Sequence, residues 1–458
     1  MNHLQIYNFI QQRLVPVPFS TTGEGEPDEP QQTIEPIPCE TFADLCEYYE
    51  SELELTQEIR DTLACMLAVV ISTEEEGGQL ALRVIGPPGS AKSTLSESVS
   101  VAREWVYPCS KFTGIISGWH NLKKGEQLAD KINGKCLIIK DADSQDQLPN
   151  RKQIESELRD ALGDGVIRGT YKTGKELELE AVFTLIKCGT KALRSGDDNT
   201  LGSRYLDVVI HEEGTSTEKI VRRSIKSQFS SIGRSLRKRR RSAHSNGNGD
   251  TPDELPRKKT IDTLAPPTYG LLQHMKGLIE EGEIDLKDMT QKQETRFLSM
   301  GELIAYCRAR VERDKGNLLY RPEKELATRL AEQLTRLALF LSIIFLPRNR
   351  KTATLTKEVF RIVEKVMRDT CYSFNFEIVK AIFESDRKKK KAEGMDKQEI
   401  AQQLGISVTQ TYEILCDMKE LKLVSTRAVS NIHGRGRKSH YYILTPEVKK
   451  LCRLAFTS

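Results

Sequence analysis

The sequence predicts an α/β core, then a small helical domain and a C-terminal winged helix, on three observations. Short apolar runs at 80–85, 136–139 and 182–187 are separated by segments with helical spacing, the pattern of buried parallel strands. The first run leads through a Gly/Pro-rich turn into a helix opened by Lys92-Ser93-Thr94. Near the other end, a helix, the turn Gly405-Ile406-Ser407 and a second helix precede two strands joined by a basic, glycine-rich segment.

Length and composition bound the rest. A chain of 458 residues is long enough for two or three domains, and 38% hydrophobic with 29% charged residues predicts soluble ones with real cores. The longest apolar run, 337–346, contains Ser342 and is too short to cross a bilayer, so no membrane partner is expected. No basic segment followed by an apolar one opens the chain, so no secretory signal is expected and the location predicted is cytoplasmic, or nuclear in a eukaryotic host. The ten cysteines stand apart, with neither Cys-x-x-Cys nor His-x-Glu-x-x-His. That favours buried thiols over a disulfide framework or structural zinc. His433 and His440 lack ligand-spaced partners.

Residues 1–54 read as an N-terminal extension, with a Glu/Gln/Pro/Gly-rich linker over 21–38. Helical spacing within 41–71 (Phe42, Leu45, Cys46, Tyr49, then Ile59, Leu63, Met66, Leu67) predicts one or two helices against the core, with Glu58 and Asp61 on the wet face.

The core is assigned to 55–220. Between the strand at 80–85 and the following helix, Gly86, Pro87, Pro88, Gly89, Ser90, Ala91, Lys92, Ser93 and Thr94 form a nest of backbone N–H groups at a helix N-terminus, suited to phosphate oxygens. Lys92 would reach the β- and γ-phosphates of ATP and the Ser93 hydroxyl would ligate Mg²⁺. Ala91 stands where the usual pattern has Gly; helical φ/ψ suits Ala and predicts no cost there.

The strand at 136–139 ends in Lys140-Asp141-Ala142-Asp143, acid at the carboxyl end of a buried parallel strand. Asp141 either orients Mg²⁺ or polarises the attacking water, with Asp143 supplying the other carboxylate. A hairpin over 166–183 carries Arg168, Lys172 and Lys175 toward its tip, as a DNA-tracking loop or as an ordinary solvated one. Thr190, after the strand at 182–187, is placed to hydrogen-bond the γ-phosphate or the water. Arg204, entering the strand at 205–210, is either a local ion-pair partner or a finger for a neighbouring subunit's ATP site.

Residues 221–268 read as a basic, largely disordered linker, with Arg237-Lys238-Arg239-Arg240-Arg241 at its peak and Pro266-Pro267 at its end. Such a tract suits salt-dependent phosphate contacts without base selectivity. Helices follow in the 269–372 segment, the last within 325–345 apolar on nearly all sides. In the winged helix, 373–458, Thr409, Gln410, Thr411 and Glu413 of the second helix and Arg435, Arg437 and Lys438 of the wing are the DNA-contact candidates.

Taken together, these segments resemble an AAA+ P-loop ATPase, and more narrowly the minichromosome-maintenance (MCM) replicative helicases. The Gly86–Ser93 loop is similar to that family's Gly-Asp-Pro-Gly-Thr-Ala-Lys-Ser, Ala included, and Leu128-Ala129-Asp130-Lys131 to its Leu-Ala-Asp-x segment. Ser203-Arg204-Tyr205 resembles its Ser-Arg-Phe finger, and the run 329–338 its Arg-x-Leu-Glu-x-Leu-Ile-Arg-Leu-Ala lid helix. The likeness covers roughly 55–210 and 320–455. It implies a lid in 269–372, Arg329 as a second sensor reaching the γ-phosphate at a subunit interface, a homo-oligomeric, hexameric ring, and ATP-driven DNA translocation or unwinding in replication. Lys140-Asp141 departs from the family's Asp-Glu, Gly189-Thr190 from its sensor Asn, and nothing in 1–54 matches its N-terminal zinc and oligonucleotide-binding domain. The resemblance therefore implies a distant, truncated relative of the kind mobile elements or viruses encode. The alternative is a DNA-bound ATP switch, an initiator, loader or regulator with slow hydrolysis. In such architectures the winged helix also contacts other replication proteins.

Overall fold

Five of the strands pair into one parallel sheet. The computed structural model describes residues 34–73, 78–110, 112, 114–115, 127–144, 148–170, 176–190, 204–211, 256–315, 317–371, 373–389, 394–429 and 439–456. Helices α1 (Phe42–Glu52) and α2 (Gln57–Ile71) precede β1 (Ala81–Ile85) and α3 (Lys92–Val99). Then come β2 (Val106–Cys109), α4 (Leu128–Ile132), β3 (Cys136–Ile139), α5 (Arg151–Asp164), the antiparallel hairpin β4 (Val166–Thr170) and β5 (Glu176–Glu180), β6 (Thr184–Gly189) and β7 (Leu206–Val209).

The sheet order is β2-β3-β6-β1-β7. The chain leaves β1 toward one side and later crosses it, from β6 to β7, toward the other. That reversal makes the carboxyl end of β1 the sheet's topological switch point. Every β1 residue is buried, as a strand covered on both faces requires. Leu82 and Val84 join Ile186, Cys188, Leu206 and Val208 in one core with α2, α3 and later helices. Ala81 and Ile85 join Leu137, Leu185 and Val209 in a second core under α5.

Three readings of the flanks are corrected here. Helix α6 (Pro256–Glu280) runs through Pro266 and Pro267, so 256–268 is not linker. A proline in a helix deprives a carbonyl of its N–H partner; here tertiary contacts offset that loss. Pro266 O accepts the Ile37 N–H at 3.1 Å, and the Tyr49 hydroxyl meets Thr268 Oγ1 at 3.1 Å. At Gly270 a Cβ would sit 1.9 Å from Ile37 O, so only glycine lets the chain cross the helix there. Residues 36–54 accordingly belong to the folded body, one compact unit over Pro36–Ser458, and not to an extension ending at 54. Asp61 is likewise not on a wet face: it is 1% exposed and takes both ends of the Arg361 guanidinium at 2.5 and 2.7 Å.

The helical segment holds β8 (Asp285–Leu286), α7 (Gln291–Arg308), a small hairpin of β9 (Arg313–Asp314) and β10 (Asn317–Leu318), α8 (Thr328–Ile344), β11 (Thr352–Ala353) and α9 (Lys357–Thr370). Helix α9 closes the open edge of the main sheet. Thr370 Oγ1 accepts the Asp207 N–H at 2.9 Å, Asp369 accepts the Val209 N–H at 2.8 Å, and Lys365 donates to Val209 O at 2.6 Å. Side chains thus complete a ladder that a further strand would otherwise continue, which fixes the helical segment to the sheet.

The C-terminal part is α10 (Phe374–Lys389), β12 (Met395–Asp396), α11 (Lys397–Leu404), α12 (Val408–Glu420), β13 (Val424–Val429), β14 (Ser439–Leu444) and α13 (Pro446–Ala455). Its strands pair in the order β12-β14-β13. Gly405 ends α11 at φ 67°, and Ser407 caps α12 by accepting the Gln410 N–H at 3.1 Å. Two helices joined by a tight glycine turn thus precede a strand pair. All ten cysteines are thiols, eight of them buried. No helix among the described residues is long and apolar enough to cross a membrane.

Candidate functional site

The loop after β1 is built by backbone freedom at defined places. Gly86 N–H extends the sheet to Gly189 O at 3.2 Å, and a Cβ on Gly86 would meet Ser90 Oγ at 2.7 Å and Ile210 at 3.3 Å. Gly89 turns the chain at φ 82°. Ala91 then takes φ 62°, ψ −1° as the N-cap of α3. The expectation of a cost-free helical Ala91 is corrected: the left-handed region crowds its Cβ, at about 1 kcal/mol or more. Ala91→Gly should raise unfolding stability by about 1 kcal/mol, read as a higher urea midpoint at unchanged slope.

Lys92 folds back into the loop it opens. Its ammonium donates to Gly86 O at 2.6 Å, Pro87 O at 2.7 Å and Ser90 Oγ at 3.1 Å. Burial lowers its pKa from the ordinary lysine value, and the Asp143 carboxylate opposes that shift. The first helical bond runs from Leu95 N–H to Ala91 O at 2.9 Å. The N–H groups of Lys92, Ser93 and Thr94 therefore precede the ladder, at the positive end of the helix dipole. Ser93 is exposed in that first turn. A cation held by three neutral oxygens, N–H groups at a helix start and an exposed hydroxyl fit a Mg²⁺-bound triphosphate.

Past β3 the two candidate acids part. Ala142 is buried, its N–H on Cys188 O at 2.9 Å. Asp141 is exposed, and its main-chain oxygen accepts the Ser144 hydroxyl at 2.8 Å. Asp143 turns inward: its carboxylate accepts the Thr190 N–H at 2.8 and 3.1 Å and acts on Lys92. The structure brings Lys92, Asp143 and Thr190 together and leaves Asp141 outside them. Beside Lys92, burial pushes the Cys188 thiol up to about 12, so it stays protonated and inert.

The arginines gather elsewhere. Arg204, Arg329 and Arg336 line one groove of about 1040 Å³ with Gly163, Gln333 and Gln79. Arg329 is exposed in the first turn of α8. Arg336 donates to Ser72 O at 2.7 Å. Gln79 precedes β1 and Arg204 precedes β7, so the groove lies at the amino end of the sheet, whereas the Gly86–Ala91 loop follows its carboxyl end. Five extended residues span about 16 Å, longer than an arginine side chain. Arg204 and its own chain's loop are therefore separate.

In the C-terminal segment, Gln410 is exposed at the start of α12, beside Thr409. Thr411 is corrected: it is fully buried and its hydroxyl donates to Ser407 O at 2.9 Å, so it contacts no DNA. Arg168 sits on β4 opposite Glu178. Lys172, Lys175, Arg435, Arg437, Lys438 and the tract 237–241 lie outside the described residues. Sequence reasoning gave no role to Gly163 and Gln333, which touch Arg204; Gly163 is in no motif, Gln333 falls at an unspecified position of the 329–338 run, and only packing reveals them. No family model matches the chain, and no curated protein matches it.

Proposed function

We propose that the chain is an AAA+-type, MCM-like ATP hydrolase that works on DNA as a homo-oligomer, a translocase or helicase acting in replication. The observation that carries the reading is the opposition of two half-sites on one sheet. A phosphate loop with Lys92, Ser93 and Asp143 stands at the carboxyl end of β1, and Arg204 and Arg329 share a groove at the amino end. Two copies packed head to tail would bring the halves together, as a closing ring does. Lys92 and the α3 N–H groups then hold the phosphates, Ser93 and Asp143 hold Mg²⁺ directly or through water, and the partner's arginines face the charge that develops on the γ-phosphoryl group.

One observation favours the second reading, a slow ATP switch that loads or regulates on DNA. Lys140 occupies the strand end, and of the two acids only Asp143 faces Lys92. The test is ATP-dependent strand displacement on a forked duplex, run beside DNA-stimulated hydrolysis. The helicase opens the fork; the switch binds and hydrolyses slowly without opening it. Asp143→Asn should lower hydrolysis about 100-fold or more and Asp141→Asn less than about threefold. Hydrolysis indifferent to both DNA and Asp143 would remove both readings.

A further inference from the structure

Arg204 is held in place by its own chain, which matters if, as proposed, it serves an ATP site shared between copies. Two residues given no role by any motif hold this arginine from opposite directions. At the C-terminal end of α5, Gly163 is exposed, and a Cβ there would lie 2.1 Å from Arg204 Nη1, 2.7 Å from Nη2 and 2.8 Å from Cζ. The guanidinium thus rests on bare helix backbone. From α8, Gln333 Nε2 donates to Arg204 O at 2.7 Å. Gln333 stands one turn after Arg329, so this bond ties the main chain of one arginine to the helix that carries the other.

Neither residue is what stability alone selects. Gly163 has an ordinary helical backbone, absent from the positive-φ positions, where alanine is the better helix former. Gln333 is 6% exposed, and no donor among the described residues reaches its buried Oε1. A buried orphan acceptor is destabilising, and an apolar side chain of similar size would avoid it. The orientation of the amide is fixed by the bond to Arg204 O, so turning it over would not relieve Oε1.

We propose that Gly163 and Gln333 are positioning residues for the arginine half-site: they preset Arg204 beside Arg329 so that both enter the neighbouring copy's ATP site as one body. Preorganisation of this kind matters because a displacement of about 1 Å at a transition-state contact costs up to about 100-fold in rate.

The test uses the full chain with Gly163→Ala and Gln333→Leu, beside Arg204→Ala as reference. Three quantities are read: turnover of ATP, affinity for a fluorescent ATP analogue, and Tm. Each positioning variant should lose about 10- to 100-fold in turnover, with analogue affinity within about twofold and Tm equal to or above that of the unmodified chain. A structural role would instead lower Tm together with turnover. Adding excess Lys92→Ala protein, which supplies intact arginines but no working loop, should restore part of the turnover of either variant. Unchanged turnover in both variants, with Arg204→Ala inactive, overturns this inference and leaves the shared site standing. A fully active Arg204→Ala overturns the shared site and this inference with it. A fall of several degrees in Tm for both variants reassigns them to plain packing.

Discussion

Arg204→Ala is expected to lower ATP turnover about 10³-fold or more while leaving nucleotide affinity at the phosphate loop unchanged. The magnitude follows from the role proposed for it: an arginine that meets charge developing on the transferring phosphoryl group contributes about 10³ to 10⁵ in rate. Affinity is spared because Arg204 lies at the amino end of the sheet, about 16 Å from the start of its own chain's loop. Lys92→Ala is expected to be equally inactive for the opposite reason, the loss of the ammonium now held by Gly86 O, Pro87 O and Ser90 Oγ. The two dead proteins should complement. In a random equal mixture, about a quarter of head-to-tail contacts join a sound loop to a sound arginine, and activity should return to about that fraction. Absence of recovery at concentrations where the copies associate would leave Arg204 acting within its own chain, against the geometry and against the proposed function.

The parts of the molecule legible in the sequence are those governed by local backbone chemistry. Gly86 and Gly89 punctuate the turn after an apolar strand, Gly405 and Ser407 punctuate the helix-turn-helix, and all four do what their residue types dictate. The reading of Ala91 went wrong for an instructive reason. Its neighbours suggested the first residue of a helix, but the position is the N-cap, where the loop must pass through left-handed φ. What tertiary contact decides was not legible. Pro266 and Pro267 sit inside a helix because segment 37–39 crosses it. Asp61 looked solvated until Arg361, 300 positions away, closed over it. Of the acids at 141 and 143, nothing local says which turns inward; Ala142 decides by filling the core, and that is a property of the sheet beneath it.

The same limit hid the charges inside the strands, and these carry the largest expected stability effect. Arg83 and Lys187 were read as parts of apolar runs and Asp207 as part of the strand at 205–210, yet the three lie side by side in register across β6, β1 and β7. All three are nearly closed to solvent, at 7%, 3% and 2% exposure. Arg83 grips Asp207 through Nε–Oδ1 at 2.7 Å and Nη2–Oδ2 at 3.2 Å. Lys187 reaches Glu155 at 2.5 Å, and the Tyr205 ring lies under both cations, 5.2 Å from the Arg83 guanidinium and 4.8 Å from the Lys187 ammonium. Burial pushes the Glu155 carboxyl up, but Lys187, the Tyr205 hydroxyl and Arg83 more than offset it and hold it below the ordinary value. That contribution is present above pH about 4.3 and fades as pH falls toward the lowered folded value.

Asp207→Ala would leave the Arg83 guanidinium buried without its carboxylate, and should destabilise the protein by about 3–5 kcal/mol in urea unfolding. Replacing the pair with apolar residues of similar volume, Arg83→Met with Asp207→Leu, should bring stability back to within about 1 kcal/mol of the unmodified chain or above it, because two desolvated charges only roughly repay their own burial. If Asp207→Ala costs under about 1 kcal/mol, water reaches this layer and the sheet is not closed as described. If the double replacement is as unstable as the single one, Arg83 and Asp207 answer chiefly to Lys187, Glu155 and Tyr205. The four charges would then act as one network whose members cannot be exchanged in pairs.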